Sequence, residues 1–122
     1  MCQCSKYNDD CLFCKIIKGE IPSKKVYEDE TVYAFEDIAP TAPVHYLFIP
    51  KHHIASLNEV DEKLGASLIG DIYVAIAKVA SQLGLDETGY RVVSNCGKDA
   101  GQTVPHIHFH LLAGRELTWP AG

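Results

Sequence analysis

Two periodicities divide the chain. Across residues 61–83, Leu64, Leu68, Ile69, Ile72, Tyr73, Ile76, Val79, Ala80 and Leu83 recur at intervals of three and four. That spacing lines one face of an amphipathic α-helix, so one long helix is expected, with Asp61 as its N-cap and Gly84 as its stop. Residues 11–18 repeat the interval on a smaller scale through Leu12, Phe13, Ile16 and Ile17, and the stretch from Gly19 to Pro22 ends it. This predicts a short N-terminal helix. Elsewhere the period is two. Residues 26–28 and 31–36 flank the acidic turn Asp29, Glu30 as in a hairpin, and residues 45–49 form a third strand between Pro43 and Pro50. Residues 90–94 and 106–113 supply two more, joined by a glycine-rich loop over 95–103. The order predicts an α+β fold with an antiparallel sheet of about five strands.

The 122 residues suffice for one hydrophobic core, and no repeat or Gly/Ser linker divides them. Residues 1–10 are expected to be a flexible N-terminal lead and residues 11–122 a single domain. A content of 47% apolar and 22% charged residues argues against bulk disorder. The net charge is −5, and no basic cluster exceeds Lys24, Lys25, so binding to nucleic acid or an anionic membrane is not expected. No apolar run of transmembrane length stands out and the first ten residues lack the apolar core of a signal peptide, which points to a cytoplasmic protein. The five cysteines, Cys2, Cys4, Cys11, Cys14 and Cys96, are odd in number and crowded at one end. They make a poor disulfide framework; free thiols or metal ligands fit better.

The histidines carry the chemistry. Residues 106–112 read H-I-H-F-H-L-L, which on a strand puts His106, His108 and His110 on one face and Ile107, Phe109 and Leu111 on the other. A solvent-facing polar stripe would be served equally well by Lys, Thr or Glu. Three imidazoles offer neutral nucleophiles and proton carriers near pH 7, or metal ligands. The preceding loop holds Asn95, Gly97, Gly101, Gln102 and Thr103, residues of the kind that hold a phosphate. Together they point to phosphoryl or nucleotidyl transfer. Cys11 and Cys14 form C-x-x-C, half of a zinc site or a redox pair. For Cys96 a small buried residue is the expected role.

The H-I-H-F-H-L-L run resembles the histidine triad (HIT) family. The resemblance covers nearly the whole chain and is strongest to the Hint branch, through Lys15-Ile16-Ile17, Glu20-Ile21-Pro22, Phe35-Glu36-Asp37-Ile38, Ala42-Pro43-Val44-His45, Ile49-Pro50-Lys51, Gly101-Gln102-Thr103, Gly114-Arg115 and Trp119-Pro120. It implies a HIT fold and a purine nucleoside phosphoramidase, which cleaves the P–N bond of adenosine 5′-monophosphoramidates through a nucleotidylated histidine and releases AMP. On that pattern His108 is the nucleophile, His110 a phosphate contact, His106 the other triad member and His45 a supporting histidine. The same pattern makes Asp37 the ribose ligand, and Asn95, Gly101, Gln102 and Thr103 line the phosphate and leaving group. Phe13, Ile16, Ile21, Phe35 and Ile38 match the apolar walls around the purine, though each also suits a core. Some bacterial relatives hold structural zinc with a set matching Cys11, Cys14, His53 and His106; the chemical step itself needs no metal. The resemblance further implies a homodimer, with Trp119 near the partner's leaving-group side. Two other readings stand beside this one: a dinucleoside polyphosphate hydrolase, and a purine-nucleotide-binding regulatory module with incidental catalysis.

Overall fold

Alternation along three strands sends consecutive side chains to opposite sides of one sheet, and the two sides are covered by different elements. The structure is a computed structural model that describes residues 7–122, so Cys2 and Cys4 lie outside the described residues. In chain order it contains α1 (Leu12–Ile17), β1 (Lys25–Glu28), β2 (Val32–Glu36), β3 (Val44–Pro50), α2 (Leu64–Gln82), α3 (Leu85–Thr88), β4 (Arg91–Val93) and β5 (Phe109–Ala113). The strands form one antiparallel sheet in the order β1-β2-β3-β5-β4. This is the α+β architecture expected, with the short helix, the long helix and five strands in place.

On one side, Val32, Ala34, Phe48, Phe109, Leu111 and Ala113 pack against Leu68, Ile72, Ala75, Ile76, Val79 and Ala80 of α2. Each fully buried large side chain here, such as Ile72 or Phe48, contributes about 1.5–3 kcal/mol of burial free energy. On the other side, Tyr33, Phe35, Leu47 and Ile49 meet Cys11, Phe13, Cys14 and Ile16 at α1. α1 is only six residues long, below the length at which a helix persists alone, and its register depends on this packing. The Cys11 sulfur caps it, accepting from the Cys14 N–H at 3.4 Å. Residues from the expected flexible lead also bond to it: Asn8 accepts from the Cys11 N–H at 3.0 Å, and Lys18 pairs with Asp9 at 3.2 Å.

Several details differ from the sequence reading. Tyr73, Leu64 and Leu83 are about half exposed, because Leu64 and Leu83 stand at the ends of α2 and Tyr73 at the margin of its apolar stripe, where its ring meets Phe109 edge-on at 5.6 Å. α2 begins at Leu64, and Asp61 caps it from outside, accepting from the Lys63 and Gly65 N–H groups at 3.1 and 2.9 Å. By length and composition α2 could cross a membrane, at mean hydropathy 1.4, contrary to the expectation that no segment would qualify. The face packed on the sheet accounts for that apolar content. Gly84 ends α2 in the left-handed region (φ +73°), and the chain then forms α3, a turn of helix that periodicity did not signal.

The fifth strand is shorter than predicted. Its ladder begins at Phe109, not at residue 106: β3 runs on to Pro50, but its pairing with β5 stops at Phe48–Phe109, and Pro50 has no N–H to extend it. The preceding residues are anchored otherwise: the Ile107 N–H reaches the Ile54 carbonyl at 2.6 Å. Alternation survives in this extended segment, since Ile107 still joins the α2 core.

Candidate active site and metal centre

Register fixes the first part of the site. Leu47 pairs with His110 and His45 with Leu112, so His45 and His110 are diagonal neighbours on the α1 side of the sheet. Their rings meet: His45 Nε2 lies 2.8 Å from His110 Nδ1. The next ring along, that of His108, stands 5.2 Å from His110 and 5.1 Å from the edge of Phe13, centroid to centroid.

Fixed hydrogen-bond partners determine where the ring protons sit. A carbonyl can only accept, so His108 Nδ1, 2.8 Å from the His106 carbonyl, must carry its proton, and Nε2 keeps the lone pair. His106 Nε2 likewise donates to the Pro50 carbonyl at 2.9 Å, leaving its Nδ1 bare. His45 Nδ1 accepts from the Thr41 N–H at 3.1 Å, so His45 donates from Nε2 to His110 Nδ1. The proton of neutral His110 is therefore on Nε2. The row thus presents one nucleophilic nitrogen, on His108, beside one neutral donor, on His110.

His106 departs from its expected part in the chemistry. It is fully buried, with one nitrogen on Pro50 and the other toward the cysteines, so it has no nitrogen to offer a substrate as a proton carrier. It serves the row through its carbonyl. Ser94, which the sequence reading did not single out, holds the next carbonyl, donating to the His108 oxygen at 3.0 Å. Pro50 and Thr41 were likewise missed; both act through backbone atoms, and side-chain identity gives no signal of that.

Asp37 follows β2 and is partly buried. Its Oδ1 accepts from the Ala39 N–H at 2.7 Å, and its Oδ2 lies 3.4 Å from His45 Nε2. Ile38 is 99% exposed beside it and Ile21 half-buried, while Phe13, Ile16 and Phe35 are each under 10% exposed within the core at α1. Those three pack within the core at α1, one of the two roles the sequence left open. In the glycine-rich loop, the N–H groups of Gly97, Gly101 and Gln102 are spent internally, on Gln102 Oε1, Lys98 O and Gly97 O. The Gln102 amide also donates to the Ala55 and Val104 carbonyls at 2.8 and 3.0 Å, so Gln102 braces the loop. The backbone N–H of Gly101, expected as a phosphate donor, is thus engaged within the loop. The side chains of Asn95 and Thr103 make no hydrogen bond among the described residues and keep their donors.

The other three predicted metal ligands, Cys11, Cys14 and His53, converge on the far side of His106. Its Nδ1 lies 3.3 Å from Cys11 Sγ, 3.5 Å from Cys14 Sγ and 3.2 Å from His53 Nδ1, and Cys14 Sγ is 3.4 Å from His53 Nδ1. A tetrahedral ion with bonds of about 2.0–2.3 Å has edges of about 3.3–3.8 Å, so the four donors stand close to the corners of such a shell. Their chemistry fits as well. Burial holds His53 below its usual range and His106 down to about 4, which favours the neutral imidazoles that bind a metal. Burial likewise pushes the Cys14 thiol up to about 11, so its thiolate needs a cation for stability.

A five-stranded antiparallel sheet backed by one long helix, with paired histidines where its last strand begins, is the α+β architecture of HIT domains. The chain belongs to the HIT domain family, whose model matches residues 18–117. It is 50% identical over 115 residues to a HIT-like protein of Synechococcus elongatus, covering 94% of this chain and 99% of the relative. A crystal structure of a HIT family hydrolase from Legionella pneumophila superposes with a TM-score of 0.90 at 50% identity, covering 93% of this chain and all of that one. The histidine triad nucleotide-binding protein of Candida albicans gives 0.78 at 42% identity, over 93% and 85% of the two chains.

Burial also lowers His110 to about 4, with the neighbouring His108 and His45 contributing. A histidine depressed in the fold binds fewer protons there than in the unfolded chain. Its contribution to stability is full above about pH 6.5 and is lost as pH falls toward about 4, amounting to roughly 2 kcal/mol once solvent screening is allowed for. Urea midpoints at pH 7 and pH 4.5 should therefore differ more for the wild type than for His110→Gln. Equal losses would contradict the assignment.

Proposed function

We propose that this protein is a nucleotide hydrolase that cleaves the P–N bond of purine nucleoside 5′-monophosphoramidates, adenosine phosphoramidate above all. The observation that carries the reading is the His108 ring, held by the His106 carbonyl with its Nε2 lone pair free. Nε2 attacks phosphorus; the departing amine takes the P–N electron pair and a proton from solvent, which the water that cleaves the intermediate gives back. The resulting nucleotidyl-His108 is then cleaved by water, returning the imidazole and releasing AMP. His110 Nε2–H, with Asn95 and Thr103, donates to the phosphate oxygens as charge builds on them. The Asp37 carboxylate binds the ribose hydroxyls, and Ile38 and Ile21 flank the base. Incubation with adenosine 5′-phosphoramidate should give AMP and, on rapid alkaline quench, a nucleotidyl adduct on the peptide bearing His108. Binding of AMP without turnover would instead favour the regulatory module. Turnover of diadenosine polyphosphates in preference to phosphoramidates would favour the other hydrolase.

The same reading places a structural zinc on Cys11, Cys14, His53 and His106, where it would cross-link α1 to the segment before β5 and neutralise the two thiolates. It also places the protein in the cytoplasm, as a homodimer with no nucleic-acid or membrane partner. β4 is an edge strand of the sheet, and Trp119 is 80% exposed, touched by Arg91 at 5.9 Å from its ring, a surface suited to a second copy. Light scattering should return twice the chain mass; a monomer at micromolar concentration would overturn the dimer.

A further inference from the structure

Arg115 follows β5 and makes no contact with a histidine ring among its hydrogen bonds, yet its guanidinium is fully directed. Nε and Nη2 both donate to the Thr41 carbonyl, at 3.4 and 3.1 Å, and Nη1 donates to the Glu116 carbonyl at 3.0 Å. Thr41 sits between Pro40 and Pro43 in the loop joining β2 to β3, and prolines bring no N–H with which the loop could hold itself. Its own N–H is committed to His45 Nδ1 at 3.1 Å. The second hold on this loop comes from the residue beside Arg115. Gly114 has φ +94° and approaches so closely that a Cβ there would stand 2.7 Å from Pro43 Cβ. Arg115 and Gly114 thus clamp the loop whose N–H fixes the tautomer of His45.

We infer that Arg115 is a positioning residue for nucleotidyl transfer, acting through Thr41 and His45 to keep the His110 donor pointed at the substrate phosphate. The chain of bonds has one direction: Thr41 N–H to His45 Nδ1, then His45 Nε2–H to His110 Nδ1. While it holds, His110 has its proton on Nε2. When Thr41 moves away, His45 is free to carry its proton on Nδ1, and the His45–His110 bond can reverse. His110 then donates from Nδ1 and turns a lone pair toward the phosphate oxygens, replacing a hydrogen bond with a repulsion just where charge develops. Asp37, 3.4 Å from the same His45 nitrogen, ties the ribose site to this line.

The inference rests on the proposed phosphoramidase reading for its kinetic part, and the test separates the two. Arg115→Met and Arg115→Lys are compared with the wild type by long-range proton–nitrogen NMR of the assigned His45 and His110 rings, and by kcat and KM on adenosine 5′-phosphoramidate. The wild type should show one tautomer of each ring, Nε2-protonated. In Arg115→Met, His45 should gain an Nδ1-protonated population and kcat should fall about tenfold with KM changed less than about twofold, as expected when a transition-state hydrogen bond is weakened. Arg115→Lys should recover part of both, and it alone decides the matter if the Met variant does not fold. Unchanged His45 and His110 tautomers in the variants would overturn the inference whatever the kinetics. A wild type inactive on phosphoramidates would overturn the functional reading and leave the tautomer result to judge the clamp.

Discussion

Substituting His108 by Ala should remove the proposed turnover of adenosine phosphoramidate, with kcat at least about a thousandfold lower and AMP affinity within about fivefold of wild type. The size of the effect follows from the tautomers. Of the four histidines around the row, His106 has one nitrogen on Pro50 and the other toward the sulfurs, and His45 donates to His110 while accepting from Thr41. His110 spends its lone pair on His45. Apart from His106 Nδ1, which faces the sulfurs, His108 Nε2 is the one bare nitrogen of these four rings, so no neighbour can take over. Because His108 is 6% exposed and Phe13 packs on its ring, the Ala variant leaves a gap; His108→Gln fills more of it and should be equally inactive. Retention of more than about a tenth of kcat in both would mean that no covalent step passes through this ring. Binding should survive, since Asp37, Asn95 and Thr103 do not depend on it.

The second large effect falls on stability. Protein purified without added metal should carry about one zinc per chain, and Cys14→Ala should carry less than about a tenth of that and melt about 10 °C lower. Cys14 is fully buried, touches both histidine nitrogens and receives the Asn8 N–H at 3.4 Å, so its removal opens the shell on three sides. All four ligands come from the chain, which leaves no position for a reacting water; the loss should register first in the melting curve and in exchange of the α1 amides. Less than half an equivalent of zinc in the wild type would remove the basis of the prediction.

The fold was legible where burial repeats at a fixed interval. The α2 stripe from Leu68 to Ala80, the alternation in β2 and β3, and the His/apolar alternation before and within β5 each report which side of one sheet a residue faces. What interval cannot report is the backbone's choice of partner. The late start of β5 depends on the Ile107 N–H turning to the Ile54 carbonyl, and the tautomers depend on the carbonyls of Pro50 and His106, which every residue type possesses. The ligand set Cys11, Cys14, His53 and His106 was legible only through family resemblance, since ninety-two residues separate the last two of its distant contacts, Cys14 and His106. Phe13, Ile16 and Phe35 show the converse difficulty: an apolar side chain looks the same in a core as in a wall around a base.

The division of labour along residues 107–111 has a genetic consequence. Ile107, Phe109 and Leu111 fill the space beneath α2, while His108 and His110 stand on the opposite side. Loss or gain of a single codon between His106 and Leu111 would exchange the two sets at a stroke, turning imidazoles into the oily layer and aliphatic groups toward the substrate. A saturation library of the gene should therefore show this stretch as intolerant to any change of length, even where single replacements survive.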